Sequence, residues 1–142
     1  MPVWTKQDKG EIALKKSRPL IGIIAAEAEY VFFSNALNTI QKELFAANMD
    51  AAVFSSLMMS GNAEFDAAEN SVYDLVDFDL LDGIIIFSSS INDVTSRERL
   101  IARIKSDFKG PVVSFDSQVD GFANCLYNYE PVACLLYTSP SP

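Results

Sequence analysis

The segment Ile84-Ile85-Ile86-Phe87 constrains the fold more than any other part of the chain. Four large apolar residues follow one another with no polar residue between them, and three of them are β-branched. In a strand with one solvent-exposed face, apolar and polar residues would alternate. A strand of a parallel sheet that is covered on both faces is instead a continuous apolar run. Asp82-Gly83 before it is typical of a turn, and Ser88-Ser89-Ser90 follow it. We therefore predict a buried central strand of a parallel sheet.

Three further apolar segments surround this run, and helical patterns lie between the segments. We predict strands at residues 19–26, 51–54, 84–87 and 112–115, and helices at residues 32–47, 64–76 and 95–108. Asn48 predicts the end of the first helix, and Thr95 with Glu98 predicts a capping box at the start of the third. The helical spacing of apolar residues predicts these inward-facing side chains: Phe33, Ala36, Leu37, Ile40 and Leu44; Phe65, Ala68, Val72 and Leu75 or Val76; Leu100, Ile101 and Ile104.

The resulting order is β-α-β-α-β-α-β, with successive strands about 30 residues apart, which is the spacing of βαβ units. Right-handed crossovers then produce a doubly wound parallel sheet with helices on both faces. The sequence therefore predicts an α/β fold with three layers, α/β/α. In such sheets ligands bind at the carboxyl ends of the strands, so the residues that follow each strand are the first candidates for function.

The absence of histidine from the 142 residues excludes several kinds of catalytic site. The chain cannot supply a Ser-His-Asp triad, a Cys-His pair or a histidine metal site. Its two cysteines, Cys125 and Cys134, have no metal-ligand spacing, and no glycine-rich phosphate loop is present. The net charge of −8 argues against a nucleic-acid-binding surface. We therefore expect no catalytic residue, no metal and no cofactor.

The two ends of the chain differ in character from its middle. Residues 1–17 are polar, and we expect them to form a disordered leader. The apolar run at residues 20–26 is too short for a membrane span or a signal sequence, which predicts a cytoplasmic protein. Residues 134–142 resemble the translation of a transposon-derived sequencing adapter, and such scars are excluded from fold reasoning. Residues 18–133 are then expected to be one truncated domain.

Four short motifs occur in order at suitable spacing: Pro19-Leu20-Ile21-Gly22-Ile23-Ile24, Phe32-Phe33, Asp82-Gly83-Ile84-Ile85 and Gly110-Pro111-Val112-Val113. Together they resemble the first lobe of the type I periplasmic-binding-protein fold, in the version used by lactose-repressor/galactose-repressor (LacI/GalR) regulators. The chain departs from that family at Tyr30-Val31, where Asn-Pro is usual, and at Glu27, where Asp is usual. No helix-turn-helix precedes the lobe in these 142 residues.

This resemblance implies a two-lobed sensor that binds a small polar molecule, such as a sugar or a nucleoside, between its lobes. The second lobe and an output module would follow residue 133, and in one subset of the family the output is a GGDEF diguanylate cyclase. We expect the full-length protein to be a homodimer and to regulate transcription or signalling. The implied ligand contacts are Glu27, Tyr30, Phe32, Ser55, Ser88, Ser89 and Asp116.

Other interpretations of the same residues stay open at this point. The serines at 88–90 could form a polar exit loop that caps nearby backbone, and Tyr30 and Phe32 could pack the first helix on the sheet. Four acids near the third strand are expected to be a solvated surface: Asp74, Asp77, Asp79 and Asp82. At the level of function, the alternatives are an exported transport-type binding protein and an α/β enzyme on a flavodoxin-like sheet.

Overall fold

The computed structural model describes residues 18–28, 31–57 and 62–126. Within these ranges the strands are β1 (Leu20–Ala26), β2 (Asp50–Ser56), β3 (Gly83–Ile86), β4 (Val112–Phe115) and β5 (Ala123–Cys125). The α-helices are α1 (Val31–Ala46), α2 (Ala63–Asn70) and α3 (Val94–Asp107), and 3₁₀ turns occupy Ser71–Leu75, Phe78–Leu80 and Ser88–Ser90. None of the helices in the described ranges has the length and hydropathy needed to cross a bilayer.

The strands form one parallel sheet in the order β2-β1-β3-β4-β5, which confirms the predicted doubly wound α/β fold. In the register of the sheet, Ile23 lies between Val53 of β2 and Ile85 of β3. The chain leaves β1 in one direction to form β2, and then crosses back to form β3 and β4. This reversal produces a crevice between the carboxyl ends of β1 and β3, the usual place for a ligand in sheets of this type.

Both faces of the central strands are buried, which explains why β1 and β3 are continuous apolar runs. On one face, Ile23, Ala25 and Phe87 pack against the predicted stripe of α1: Phe33, Ala36, Leu37, Ile40 and Leu44. The opposite face is covered mainly by α3 and by the 3₁₀ turn after α2. Its buried residues include Ile24, Ile84, Ile86, Tyr73, Val76, Leu100 and Ile104. The predicted inward faces of the first and third helices are thereby confirmed.

The second predicted helix is shorter than expected, and its predicted inward face is confirmed only in its second half. Val76 is buried and Val72 packs against the core, whereas Ala68 is exposed. The α-helix ends at Asn70 and continues as a 3₁₀ turn, whose three residues per turn place Tyr73 and Val76 together in the core. Phe65, predicted to be inward, is 52% exposed, while Asp66 is buried. The four acids expected on the surface are exposed: Asp74, Asp77, Asp79 and Asp82. Asp82 also accepts a hydrogen bond from the Leu20 backbone N–H at 2.7 Å, a partner 62 residues away in the chain.

The capping box predicted at Thr95 is also wrong, because α3 begins one residue earlier and is capped by Asp93. The Asp93 carboxylate accepts a hydrogen bond from the Ser96 backbone N–H at 2.8 Å, as N-cap residues do. Hydrogen bonds from Ser96, through its side chain and its backbone, hold the pKa of the Asp93 carboxyl below its usual value. The predicted end of the helix agrees with the structure within one residue.

The end of α1 is as Asn48 predicts. Asn48 has a left-handed backbone with a φ of 60°. Its N–H donates to the Phe45 carbonyl at 3.0 Å, and the Met49 N–H donates to the Leu44 carbonyl at 2.9 Å. These two bonds form a Schellman motif, in which Asn is one of the few residues that tolerates the left-handed position.

A fifth strand, β5, was not predicted. It is three residues long, and the loop of residues 116–122 connects it to β4. Asn124 holds that loop closed, because its side-chain oxygen accepts from the Val119 N–H at 2.9 Å and its amide donates to the Phe122 carbonyl at 3.1 Å. A strand this short, centred on an asparagine, has no apolar periodicity that a sequence pattern could detect.

Candidate functional site

Four of the predicted ligand contacts follow, or end, neighbouring strands of the sheet. Ser55 is the second-last residue of β2, Glu27 follows β1, Ser88 follows β3 and Asp116 follows β4. Because the strands are parallel, these four positions share one edge of the sheet, called here the carboxyl edge. Adjacent strands lie about 4.8 Å apart, so the positions form a row. Tyr30, another predicted contact, lies outside the described residues.

Two of these residues, Glu27 and Asp116, have left-handed backbones, with φ values of 54° and 60°. This conformation costs an L-residue roughly 1–2 kcal/mol. Both residues nevertheless continue the sheet, because the Glu27 N–H donates to the Ser56 carbonyl at 2.9 Å and the Asp116 N–H donates to the Cys125 carbonyl at 2.8 Å. Strained backbone of this kind is concentrated at functional sites, where it directs side chains to a ligand. Two acidic residues with strained backbones therefore indicate that the carboxyl edge is a candidate site.

The three serines after β3 have different roles. Ser90 is structural: its hydroxyl donates to the Phe87 carbonyl at 2.7 Å and accepts from the Ala26 N–H at 2.8 Å. Ser88 is buried and hydrogen-bonds to the Ser117 hydroxyl, which joins the ends of β3 and β4. Ser89 is exposed. The backbone-capping interpretation therefore holds for Ser90, while Ser88 and Ser89 stay candidate contacts.

A polar cavity of about 610 Å³ opens beside these serines, between α3 and the loop of residues 116–122. Hydroxyl and charged side chains line its walls: Ser88, Ser89, Ser117, Arg97, Lys105, Glu98 and Asp120. Its lining also includes Ile101 and the buried Val119. We did not predict Arg97, Lys105 or Ser117 from the sequence. The only signal for Arg97 was its place in the first turn of the helix that follows the serines.

Aromatic side chains line the other side of the carboxyl edge, under α1. The rings of Phe32, Phe33, Phe87 and Phe115 form a row, with centroid separations of 5.3 Å, 5.9 Å and 4.8 Å between neighbours. Phe33 and Phe87 belong to the core, whereas Phe32 is 47% exposed beside an apolar cavity of about 330 Å³ that Phe115 also lines. Phe32 is therefore accessible for stacking against a ligand.

The residues beneath the edge of β1 and β2 are fixed by a buried hydrogen-bond chain. The Ser56 hydroxyl and the Tyr73 hydroxyl are 2.8 Å apart, and Tyr73 donates to the Ala25 carbonyl at 2.9 Å. Burial raises the pKa of the Tyr73 phenol. Ser55 has a local partner, because its hydroxyl donates to the Ser56 carbonyl at 3.1 Å. Ser55 is therefore the predicted contact whose hydroxyl is already engaged by backbone.

The chemistry that this arrangement offers is hydrogen bonding to a small polar molecule. Carboxylates accept, hydroxyls donate and accept, and a guanidinium donates, while an exposed aromatic ring offers an apolar face. In the part of the chain that the structure describes, no three acidic or thiol side chains converge to hold a metal ion.

Replacing Glu27 by glycine is expected to stabilise the protein by about 0.5–1 kcal/mol, because the left-handed penalty exceeds the entropy that glycine costs. Asn48→Gly is the matched control at the opposite edge; it should change stability by less than about 0.5 kcal/mol, since Asn tolerates this backbone. Urea unfolding of the variants measures both effects. If Glu27→Gly is instead the more destabilising change, the Glu27 side chain supports the fold and not a ligand.

No protein-family model matches this chain, and a search of curated proteins finds no significant match. What the chain binds must therefore be inferred from its own residues and geometry.

Proposed function

We propose that the chain is the ligand-binding first lobe of a cytoplasmic small-molecule sensor of the LacI/GalR kind. A polar ligand, such as a sugar or a nucleoside, lies against the carboxyl edge, and closure of a second lobe passes the signal to an output module. The observation that carries the proposal is that two acidic residues on that edge, Glu27 and Asp116, both have left-handed backbones. They lie on strands that flank β3, whose own end supplies the Ser88 and Ser89 hydroxyls.

The site has one side only, and this favours a sensor with a second lobe. Small-molecule sites bury about 70–90% of the ligand surface. Here the candidate contacts all belong to one edge of one sheet, so a ligand resting on Asp116 and Phe32 would keep its far side in water. A second lobe that closes over the edge would complete the burial and would couple ligand binding to a hinge motion.

Calorimetry with glucose, ribose, adenosine, glucose 6-phosphate and glucuronate tests the proposal. The 142-residue chain should bind them weakly or not at all, because it offers half of a cleft. The protein encoded by a reading frame that continues past codon 133 should bind one of them at least about tenfold more tightly, a difference worth about 1.4 kcal/mol.

In that longer protein, Asp116→Asn should weaken binding by about tenfold or more, because a charge-assisted hydrogen bond is lost. Asp79→Asn is the matched control, since Asp79 is an exposed acid that precedes β3 and so lies at the opposite edge. Tight, saturable binding to the 142-residue chain alone would overturn the two-lobe proposal. Equal loss of binding in both variants would remove the carboxyl edge as the site.

A further inference from the structure

Arg97 differs from the other arginines that the structure describes, because it forms no ion pair with a carboxylate of the described residues. Arg18 lies 3.4 Å from Asp50, and two arginines of α3 share one acid, Asp74: Arg99 at 3.4 Å and Arg103 at 4.0 Å. The guanidinium of Arg97 forms no such ion pair among the described residues, although the chain carries a net charge of −8. In so acidic a protein, an arginine without a carboxylate partner that lines a cavity indicates a site for an external anion.

The Arg97 side chain is held in place but keeps most of its donors. It is half-buried, and its Nη1 donates to the Ile91 carbonyl at 3.1 Å. That bond uses one of five N–H donors, so the guanidinium can still offer a pair of parallel hydrogen bonds. Such pairs match the geometry of a carboxylate or a phosphate, and a side chain that is already positioned loses less entropy when it binds one.

The rest of the polar cavity suits a small anion that carries hydroxyl groups. Ser88, Ser89 and Ser117 also line the cavity. Ser89 is exposed, whereas the Ser88 and Ser117 hydroxyls bond to each other, so that this pair keeps at most one hydroxyl proton for a ligand. Lys105 lies eight residues after Arg97, which is about 12 Å along the helix, and its Nζ lies 5.6 Å from the Phe122 ring centroid. A second cation is therefore positioned at the far end of the cavity.

Two acids, Glu98 and Asp120, also line this cavity, so its charged residues balance overall. Neither forms an ion pair with Arg97 within the described ranges. The positive charge is therefore localised at Arg97 and Lys105, while the two carboxylates can accept hydrogen bonds from hydroxyl groups of a ligand.

We propose that the polar cavity binds an acidic group of the ligand, a carboxylate or a phosphate, with Arg97 as its anchor. The sensed molecule is then an acidic sugar or a phosphorylated one, and not a neutral sugar or nucleoside. This inference rests on the proposed function, because it assigns the class of ligand for the same edge of the sheet.

Titration of the ¹⁵N-labelled 142-residue chain, followed by NMR, tests the inference with four probes: inorganic phosphate, glucose 6-phosphate, glucuronate and glucose. The three anions should shift the amide signals of Arg97, Ser89 and Ser117 in a saturable way, and glucose should not. Comparison of glucose 6-phosphate with glucuronate distinguishes a phosphate ligand from a carboxylate ligand. NMR detects millimolar binding, so the result does not depend on a second lobe.

Arg97→Gln should raise the apparent Kd for the anions by about tenfold or more. Arg97→Lys should restore part of the affinity, because it keeps the charge and loses the paired donors. Arg99→Gln is the matched control on the same helix and should leave the titration unchanged, since Arg99 contacts Asp74. The variants' own spectra show whether each one is folded.

Shifts that survive in Arg97→Gln, or that spread over many surface lysines, would overturn the anion site. If none of glucose, ribose, adenosine, glucose 6-phosphate and glucuronate binds the longer protein more tightly than the 142-residue chain, while phosphate still titrates Arg97, the proposed function fails and the anion site stands. If a neutral sugar binds the longer protein tightly and Arg97→Gln has no effect, the acidic-ligand inference fails and the proposed function stands.

Discussion

Phe87→Ala is expected to destabilise the protein by about 3–5 kcal/mol, the usual cost of removing a buried phenyl ring. Phe87 is 1% exposed, and its ring packs against Phe33 of α1 at 5.9 Å and against Phe115 of β4 at 4.8 Å. The side chain therefore joins the first helix to two strands. Because folded domains are stable by only about 5–15 kcal/mol, the variant should lose a large part of its stability.

The matched control for Phe87→Ala is Phe45→Ala, at the end of the same helix. Phe45 is 72% exposed, and its main contact is Arg18 at 5.2 Å from the ring centroid, so its removal should cost less than about 1 kcal/mol. Urea unfolding curves of the two variants measure the difference, which corresponds to a fall in Tm of about 10–20 °C for Phe87→Ala. A loss below about 1 kcal/mol for Phe87→Ala would show that α1 does not pack on the sheet as described.

Tyr73→Phe is expected to cost about 1–3 kcal/mol, because it leaves buried polar groups without a partner. The Tyr73 hydroxyl donates to the Ala25 carbonyl and contacts the Ser56 hydroxyl, and Ser56 is 3% exposed. In a double-mutant cycle, Tyr73→Phe combined with Ser56→Ala should be less destabilising than the sum of the single changes. Strict additivity in urea unfolding would show that the two hydroxyls do not interact.

The same residue gives the protein an alkaline dependence of stability. Burial raises the pKa of Tyr73 in the folded state, while the unfolded phenol titrates near its ordinary value of about 10. The contribution of the neutral phenol to the free energy of unfolding is therefore complete below about pH 10, and it is lost as the pH rises towards the pKa of Tyr73 in the folded state. The stability difference between the wild type and Tyr73→Phe should shrink above about pH 10. A difference that stays constant from neutral to alkaline pH would contradict this.

The architecture could be predicted from the sequence because burial on both faces of a strand leaves a strong pattern. Ile23-Ile24 and the run at 84–87 are apolar at every position, and the helices between the strands have helical spacing. The second helix was predicted less well, because its continuation as a 3₁₀ turn depends on how Tyr73 packs. The start of α3 was misplaced since two residues, Asp93 and Thr95, are both acceptable caps, and only the tertiary structure selects one.

The candidate site could be predicted only in part. Glu27, Ser88 and Asp116 follow directly from the rule that ligands bind at strand ends, and the structure places them on one edge. Arg97 and Ser117 could not be predicted, because the cavity that they line exists only when the loop before β5 folds back beside α3. The left-handed backbone of Glu27 has no sequence signature either, since glycine and asparagine are the residues usually found there.

The position of β1 between β2 and β3 has a consequence for synthesis of the protein. β1 leaves the ribosome before either neighbour, and its pairing with β3 joins positions as far apart as Leu20 and Asp82, 62 residues along the chain. Contacts between residues so far apart in the chain form late in folding, because the entropic cost of closing the long loop comes before the contacts can stabilise it. A nascent chain that ends before Gly83 lacks β3 and therefore presents an apolar strand with one edge unpaired, which is the type of segment that aggregates or recruits chaperones.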